Sequence, residues 1–267
     1  MATIPPVAFI LQELASPRAE VVTLLHAGTS PHTYEVSPAD ARAVESALAL
    51  FYVDDTLDGW AARLPARVKK RLFELVPAEA RLDFEGAEGA HDGHEHTEGD
   101  FDPHFWSDPS IVKAILPQLA GQLAALDPEG AETYHANAAR FAGELDEIDR
   151  RTRETLEPIK GQAVVTFHPS WNYFLHRYGI RNVGVLEPSP GKEASPKEIM
   201  ALVESIHASG AKAVFSEPQL PSRPAEVLAE TAGIELGLLD PNGGVPGRAS
   251  YRELIEFNTQ ALKEMLQ

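Results

Sequence analysis

Apolar runs of four to seven residues alternate along the chain with stretches of helical period. In the first third, ATIPP reads as a short strand and VAFILQEL as a helix. EVVTLL (20–25) reads as a strand, and SPADARAVESAL (37–48) as a helix with Ser37 as its cap and Pro38 in its first position. LALFYVD (48–54) reads as another strand. The last third resumes the same rhythm. QAVVTF (162–167), VGVLEP (183–188), AKAVFSE (211–217) and IELGLLD (234–240) read as strands. SWNYFLHRYG (170–179), SPKEIMALVESIHASG (195–210) and PSRPAEVLAETAG (221–233) read as the helices between them, and YRELIEFNTQALKEML (251–266) closes the chain as a helix. Strands alternating with helices predict α/β lobes with parallel sheets covered on both faces.

The middle is different. SDPSIVKAILPQLAGQLAAL (107–126) predicts one helix, with Pro117 a candidate kink, and residues 127–158 predict a long second one. In the latter, Ala131, Tyr134, Ala138, Phe141, Leu145 and Ile148 recur at spacings of three and four. A helix of that length, ~43 Å at 1.5 Å per residue, suits a strut joining two lobes. The expected organisation is an N-terminal α/β lobe over 1–126, a linking helix over 127–158 and a C-terminal α/β lobe over 159–267.

Residues 83–102 break the rhythm. They hold eight acids, three histidines (His91, His94 and His96), four glycines and no lysine or arginine. Such a stretch predicts a solvated loop. Of the 267 residues, 43% are hydrophobic, enough for a buried core. The formal charge of −17 repels nucleic acid and anionic membranes. With no cysteine, disulfides and thiolate metal sites are excluded. No segment approaches the roughly 20 apolar residues of a membrane span. The opening MATIPPVAFILQEL lacks the basic region and apolar run of a signal peptide, so a leader is expected to be missing from this sequence.

Ligands of open α/β sheets bind beyond the carboxyl ends of strands. His32, His168, Glu217 and Asp240 each follow a predicted strand, and His104 precedes a predicted helix. A lone histidine after a strand is more often a hydrogen-bonded structural residue. Several of them together with carboxylates, in both halves of the chain, make a set that suits zinc in tetrahedral geometry.

At these residues the chain resembles a known family. SPHTYEVSP, DPHFWSDP, TFHPSWNYFLHRYGI, FSEPQ and LLDPNGG, in this order, are similar to the metal-binding solute-binding proteins of bacterial ABC importers for zinc and manganese. The resemblance implies two α/β lobes joined by one long rigid helix, with the metal in the cleft between them. It implies His32, His104 and His168 as imidazole ligands and Asp240 as the carboxylate. The manganese members usually carry Glu where this chain has His168, so zinc is the expected cargo and a manganese receptor the alternative. Residues 83–102 resemble the acidic, histidine-rich loop of zinc members, which implies weak accessory binding by His91, His94 and His96. Glu217 is expected to orient a ligand imidazole rather than to bind metal. The implied protein is a monomeric receptor, periplasmic or tethered at the cell surface, that delivers Zn2+ to a membrane permease and catalyses nothing. A zinc hydrolase is the less favoured reading, since it needs an open coordination position and a general base, and no HExxH pattern occurs. A receptor for a large chelate would instead need an open cleft lined by aromatic or arginine side chains.

Overall fold

The computed structural model describes residues 1–83, 101–188 and 194–267. These residues divide into two compact units. The first comprises Met1–Ala80, Asp108–Arg150 and Asn242–Leu254, and the second Arg81–Ser107, Arg151–Pro241 and Ile255–Gln267. Both units are discontinuous in sequence, whereas the boundaries expected from the sequence are contiguous.

In the first unit, helix α1 (Pro5–Ala15) starts on two prolines, whose fixed φ and missing N–H cost nothing in a first turn. It buries Val7, Ile10, Leu11 and Leu14. The segment before it is extended. Ala2 bridges in parallel to both Thr23 and Phe51, so the expected strand at residues 20–25 is reduced to one bridge beside Ala2. Val22 is exposed there while Leu24 and Leu25 are buried, and the ordered pairing runs along one edge only. Helix α2 (Pro38–Ser46) has the local chemistry the sequence announces. The Ser37 hydroxyl accepts from Asp40 N–H, and Asp40 accepts in return from Ser37 N–H. Strand β1 (Leu50–Tyr52) pairs in parallel with β2 (Lys69–Arg71). The basic triplet of β2 carries no apolar signal, and only its partner makes it a strand. Helix α3 (Pro109–Leu126) is capped by Asp108, and Pro117 lies inside it without ending it. Helix α4 (Ala131–Leu156) has 26 residues. Its buried positions Tyr134, Ala138, Phe141, Leu145, Ile148, Thr152 and Leu156 continue the three-and-four spacing to its end. The chain passes from the first unit to the second within this helix.

The second unit is built on a four-stranded parallel sheet of order β4-β3-β5-β6: β3 (Ala163–Thr166), β4 (Arg181–Val185), β5 (Ala213–Ser216) and β6 (Glu235–Leu238). β3 and β5 are buried throughout, as central parallel strands between helical layers must be. The connections are α5 (Asn172–Tyr178), α6 (Pro196–Ser209) and α7 (Arg223–Ala232), and α8 (Tyr251–Leu266) ends the chain. Gly179, Gly210 and Gly233 end the three connecting helices in the left-handed conformation, where a side chain would be strained. One core cluster joins Val165, Phe167 and Val214 of the sheet to Val203, Ile206, Leu228 and Ala229 of α6 and α7. Among the described residues no helix is long and apolar enough to cross a membrane.

Candidate metal centre

The register of the second sheet puts polar groups side by side at its carboxyl end. Thr166 pairs with Val185 on one side and with Phe215 on the other. Two residues further along each strand, His168 therefore falls between Glu187 and Glu217. The backbone confirms the continuation, with Glu187 N–H donating to Phe167 O at 2.7 Å and Leu239 N–H to Ser216 O at 3.0 Å. Asp240 follows at the end of β6, next to Glu217. In sheet order the end of the sheet reads Glu187, His168, Glu217, Asp240, and all four side chains are buried.

His168 Nδ1 lies 2.7 Å from Glu217 Oε2. The other carboxylate oxygen, Oε1, accepts from Ser170 Oγ at 2.9 Å and from Trp171 Nε1 at 3.1 Å. Burial works against the charged form of His168, but the negative charges of Glu217, Asp102 and Glu187 outweigh it and hold the imidazole above its ordinary pKa. A histidine in such a setting attracts positive charge, whether a proton or a metal ion.

His104 has the same arrangement, made by a shorter path. Its backbone N–H donates to Asp102 Oδ1 at 2.9 Å, which closes a tight turn, and its Nδ1 lies 2.7 Å from the same oxygen. Tyr173 of α5 donates to the Asp102 carbonyl at 3.1 Å and accepts from Leu82 N–H at 3.0 Å, which ties this turn to the sheet unit. Trp106 Nε1 donates to Pro241 O at 2.9 Å, joining the turn to the loop after β6. The rings of His104 and His168 meet edge to face with centroids 5.3 Å apart. With the proton on Nδ1, facing the carboxylate, Nε2 is the acceptor nitrogen of each ring.

His32 sits in a single helical turn, Pro31–Thr33. The Pro31 carbonyl of that turn accepts from Trp60 Nε1 at 2.9 Å. One ligand atom from each of His32, His104 and His168 lies within 4.8 Å of the other two. Two ligands at ~2.0–2.1 Å on a tetrahedral zinc are ~3.3 Å apart, so this grouping suits a common ion. Asp240 is not a member of the group. Its Oδ1 accepts from Gln219 Nε2 at 2.8 Å, and the Asn258 side chain brackets its backbone, accepting from the N–H at 2.8 Å and donating to the carbonyl at 2.9 Å. His91, His94 and His96 lie outside the described residues.

Sequence reasoning passed over Asp102 and Glu187. An acid two residues before a histidine is the signature of the turn at Asp102. Glu187 ends a predicted strand as Glu217 does, so the strand-end rule applied throughout would have found it.

A parallel α/β protein with a converging set of imidazoles, two of them faced by buried carboxylates, has the donor set that a divalent metal of zinc type takes. The chain belongs to the family described as ZnuA, zinc-uptake complex component A, periplasmic, whose model matches residues 1–265. It is 30% identical over 293 aligned positions to the high-affinity zinc uptake system protein ZnuA of Paracoccus denitrificans, covering 98% of this chain and 90% of that one. It is 27% identical to the zinc-binding lipoprotein AdcA of Streptococcus pneumoniae, across 99% of this chain and 55% of that protein. The chain thus spans about half the length of the AdcA relatives it matches. A crystal structure of ZnuA superposes with a TM-score of 0.86 at 26% identity, covering 100% of this chain and 98% of the other.

Proposed function

We propose that this protein is an extracytoplasmic receptor that captures Zn2+ and hands it to the membrane permease of an ABC importer, without catalysing a reaction. The observation that carries the reading is the grouping of His32, His104 and His168. Three imidazoles favour zinc over manganese, which lies lower in the divalent affinity order and prefers oxygen ligands. The names of the relatives, zinc uptake protein and zinc-binding lipoprotein, support the cargo and a location outside the cytoplasm. A family described as a component of a zinc-uptake complex supports a membrane partner.

In this reading His32, His104 and His168 bind zinc through neutral imidazoles, and Asp240 supplies the fourth ligand. Its burial at the end of β6 favours a carboxylate already in place. Glu217 orients His168 and Asp102 orients His104. His91, His94 and His96 add weak sites in the acidic loop. Calorimetric titration of metal-stripped protein with Zn2+ tests this. One tight site is expected, and Ala at His32, His104 or His168 should each cost more than the ~10–100-fold typical of losing an outer partner. A parent protein without tight zinc binding, or a His104→Ala variant that binds like the parent, would refute it.

A further inference from the structure

His168 and the group that holds its partner come from one short segment. Ser170 N–H donates to His168 O at 2.9 Å, a turn that brings the next two side chains back toward β5. There Ser170 Oγ and Trp171 Nε1 both donate to Glu217 Oε1, at 2.9 and 3.1 Å. Glu217 Oε2 is left facing His168 Nδ1 at 2.7 Å. Ser170, Trp171 and Glu217 are each 2% exposed or less. The result is a closed circuit: ligand imidazole, carboxylate, two donors, and back along three residues of chain.

A glutamate side chain is costly to order, since it gives up up to ~2 kcal/mol of rotamer entropy when fixed. Glu217 can brace an imidazole cheaply only if something else has already fixed it. Two donors on one oxygen do that, because they set both the position and the rotation of the carboxylate. A buried serine and tryptophan need not converge on one oxygen merely to pack.

We propose that Ser170 and Trp171 are positioning residues for zinc capture. They hold Glu217 so that His168 keeps its proton on Nδ1 and presents Nε2 to the ion. The inference rests on the reading of His168 as a zinc ligand. It also makes the pair specific to an imidazole at position 168, because the circuit they close ends on a ring N–H.

The test is a double-mutant cycle on zinc affinity, measured by competition with a chromophoric chelator on the full chain. Trp171→Phe removes the N–H and keeps an aromatic ring, and Ser170→Ala removes the hydroxyl. Each should weaken zinc binding ~3–10-fold, less than the ~10–100-fold expected of Glu217→Gln, which acts one bond closer to the ligand. In the Glu217→Gln background the further loss from either change should fall within about twofold, because the carboxylate they position is gone. Long-range 1H–15N spectra of the metal-free protein should show the His168 proton on Nδ1 in the parent and redistributed in Trp171→Phe. Ser170→Thr keeps a hydroxyl and should rescue binding, which leaves a usable pair if Trp171→Phe does not fold. Loss of equal size in the parent and Glu217→Gln backgrounds, or parent-like affinity in both Trp171→Phe and Ser170→Ala, would overturn the proposal. A parent that binds no zinc would instead overturn the functional reading beneath it.

Discussion

Asp102 offers the sharpest perturbation, because one carboxylate oxygen serves two partners of the same residue. Asp102 Oδ1 accepts the His104 N–H at 2.9 Å and faces His104 Nδ1 at 2.7 Å, and the side chain is fully buried. A net hydrogen bond to a charged group contributes ~1.5–3 kcal/mol. At ~1.4 kcal/mol per decade that is about 10–150-fold in affinity, which overlaps the ~10–100-fold measured when partners of ligand histidines are removed. Asp102→Asn keeps an acceptor oxygen, so the backbone turn and the tautomer survive and only the charge is lost. Its zinc affinity should fall ~10-fold. Asp102→Ala removes the acceptor as well, leaves the imidazole free to rotate, and should cost ~100-fold. Chelator competition at constant pH on metal-stripped protein gives both numbers, and urea unfolding of the same samples shows whether the fold is intact. If both variants bound zinc within twofold of the parent, the idea that a buried carboxylate sets the His104 ring would be wrong.

His168→Glu should lower the preference for zinc over manganese, chiefly by losing zinc affinity, because an imidazole is exchanged for a harder oxygen ligand beside Glu217 and Glu187; competition titration with both metals reads the ratio, and an unchanged ratio would remove His168 from the selectivity argument. Deleting residues 85–99 should leave one tight zinc site and abolish weaker ones in a calorimetric titration, and loss of the tight site would put loop histidines among its ligands. Asp58 of the first unit predicts a pH effect on stability unrelated to metal. Burial pushes its carboxyl up to about 7, against hydrogen bonds from Thr3, Val53 and Asp54 that pull it down. A pKa raised on folding means the folded state holds this proton more tightly. Its contribution is therefore fully present below pH ~4, where the unfolded carboxyl is also protonated, and is lost as pH rises through about 7. Asp58→Asn should flatten the stability curve between pH 4 and 7 in urea melts of metal-stripped protein, and parallel curves would contradict the shift.

Much of the secondary structure was legible because its signals are local. Ser195 caps α6 through Glu198 N–H, Ser37 caps α2, and Gly210 and Gly233 end their helices, all within a few residues of chain. The strands of the second sheet announced themselves as short apolar runs, since a central parallel strand is buried on both faces. The same rule placed His168, Glu217 and Asp240 at strand ends, where ligands gather. The sequence had no means to see pairings made across long separations. Lys69–Arg71 became a strand only because Leu50–Tyr52 offers it hydrogen bonds, while the more apolar EVVTLL was left with a single bridge at Thr23. Residues 242–254 group with the first unit and 81–107 with the second, through contacts that contiguous sequence does not display. At the site, the residue types could be read from the chain, but which carboxylate braces which imidazole could not. Glu217 reaches His168 through the register of β3 against β5, 49 residues apart at Val164 and Ala213. Asp240 is held by Gln219 and by Asn258, which lies 18 residues further along the chain. Local propensity acts over a turn of helix or the length of a strand, whereas the direction of a buried side chain is set by neighbours that only the folded backbone brings within 3 Å.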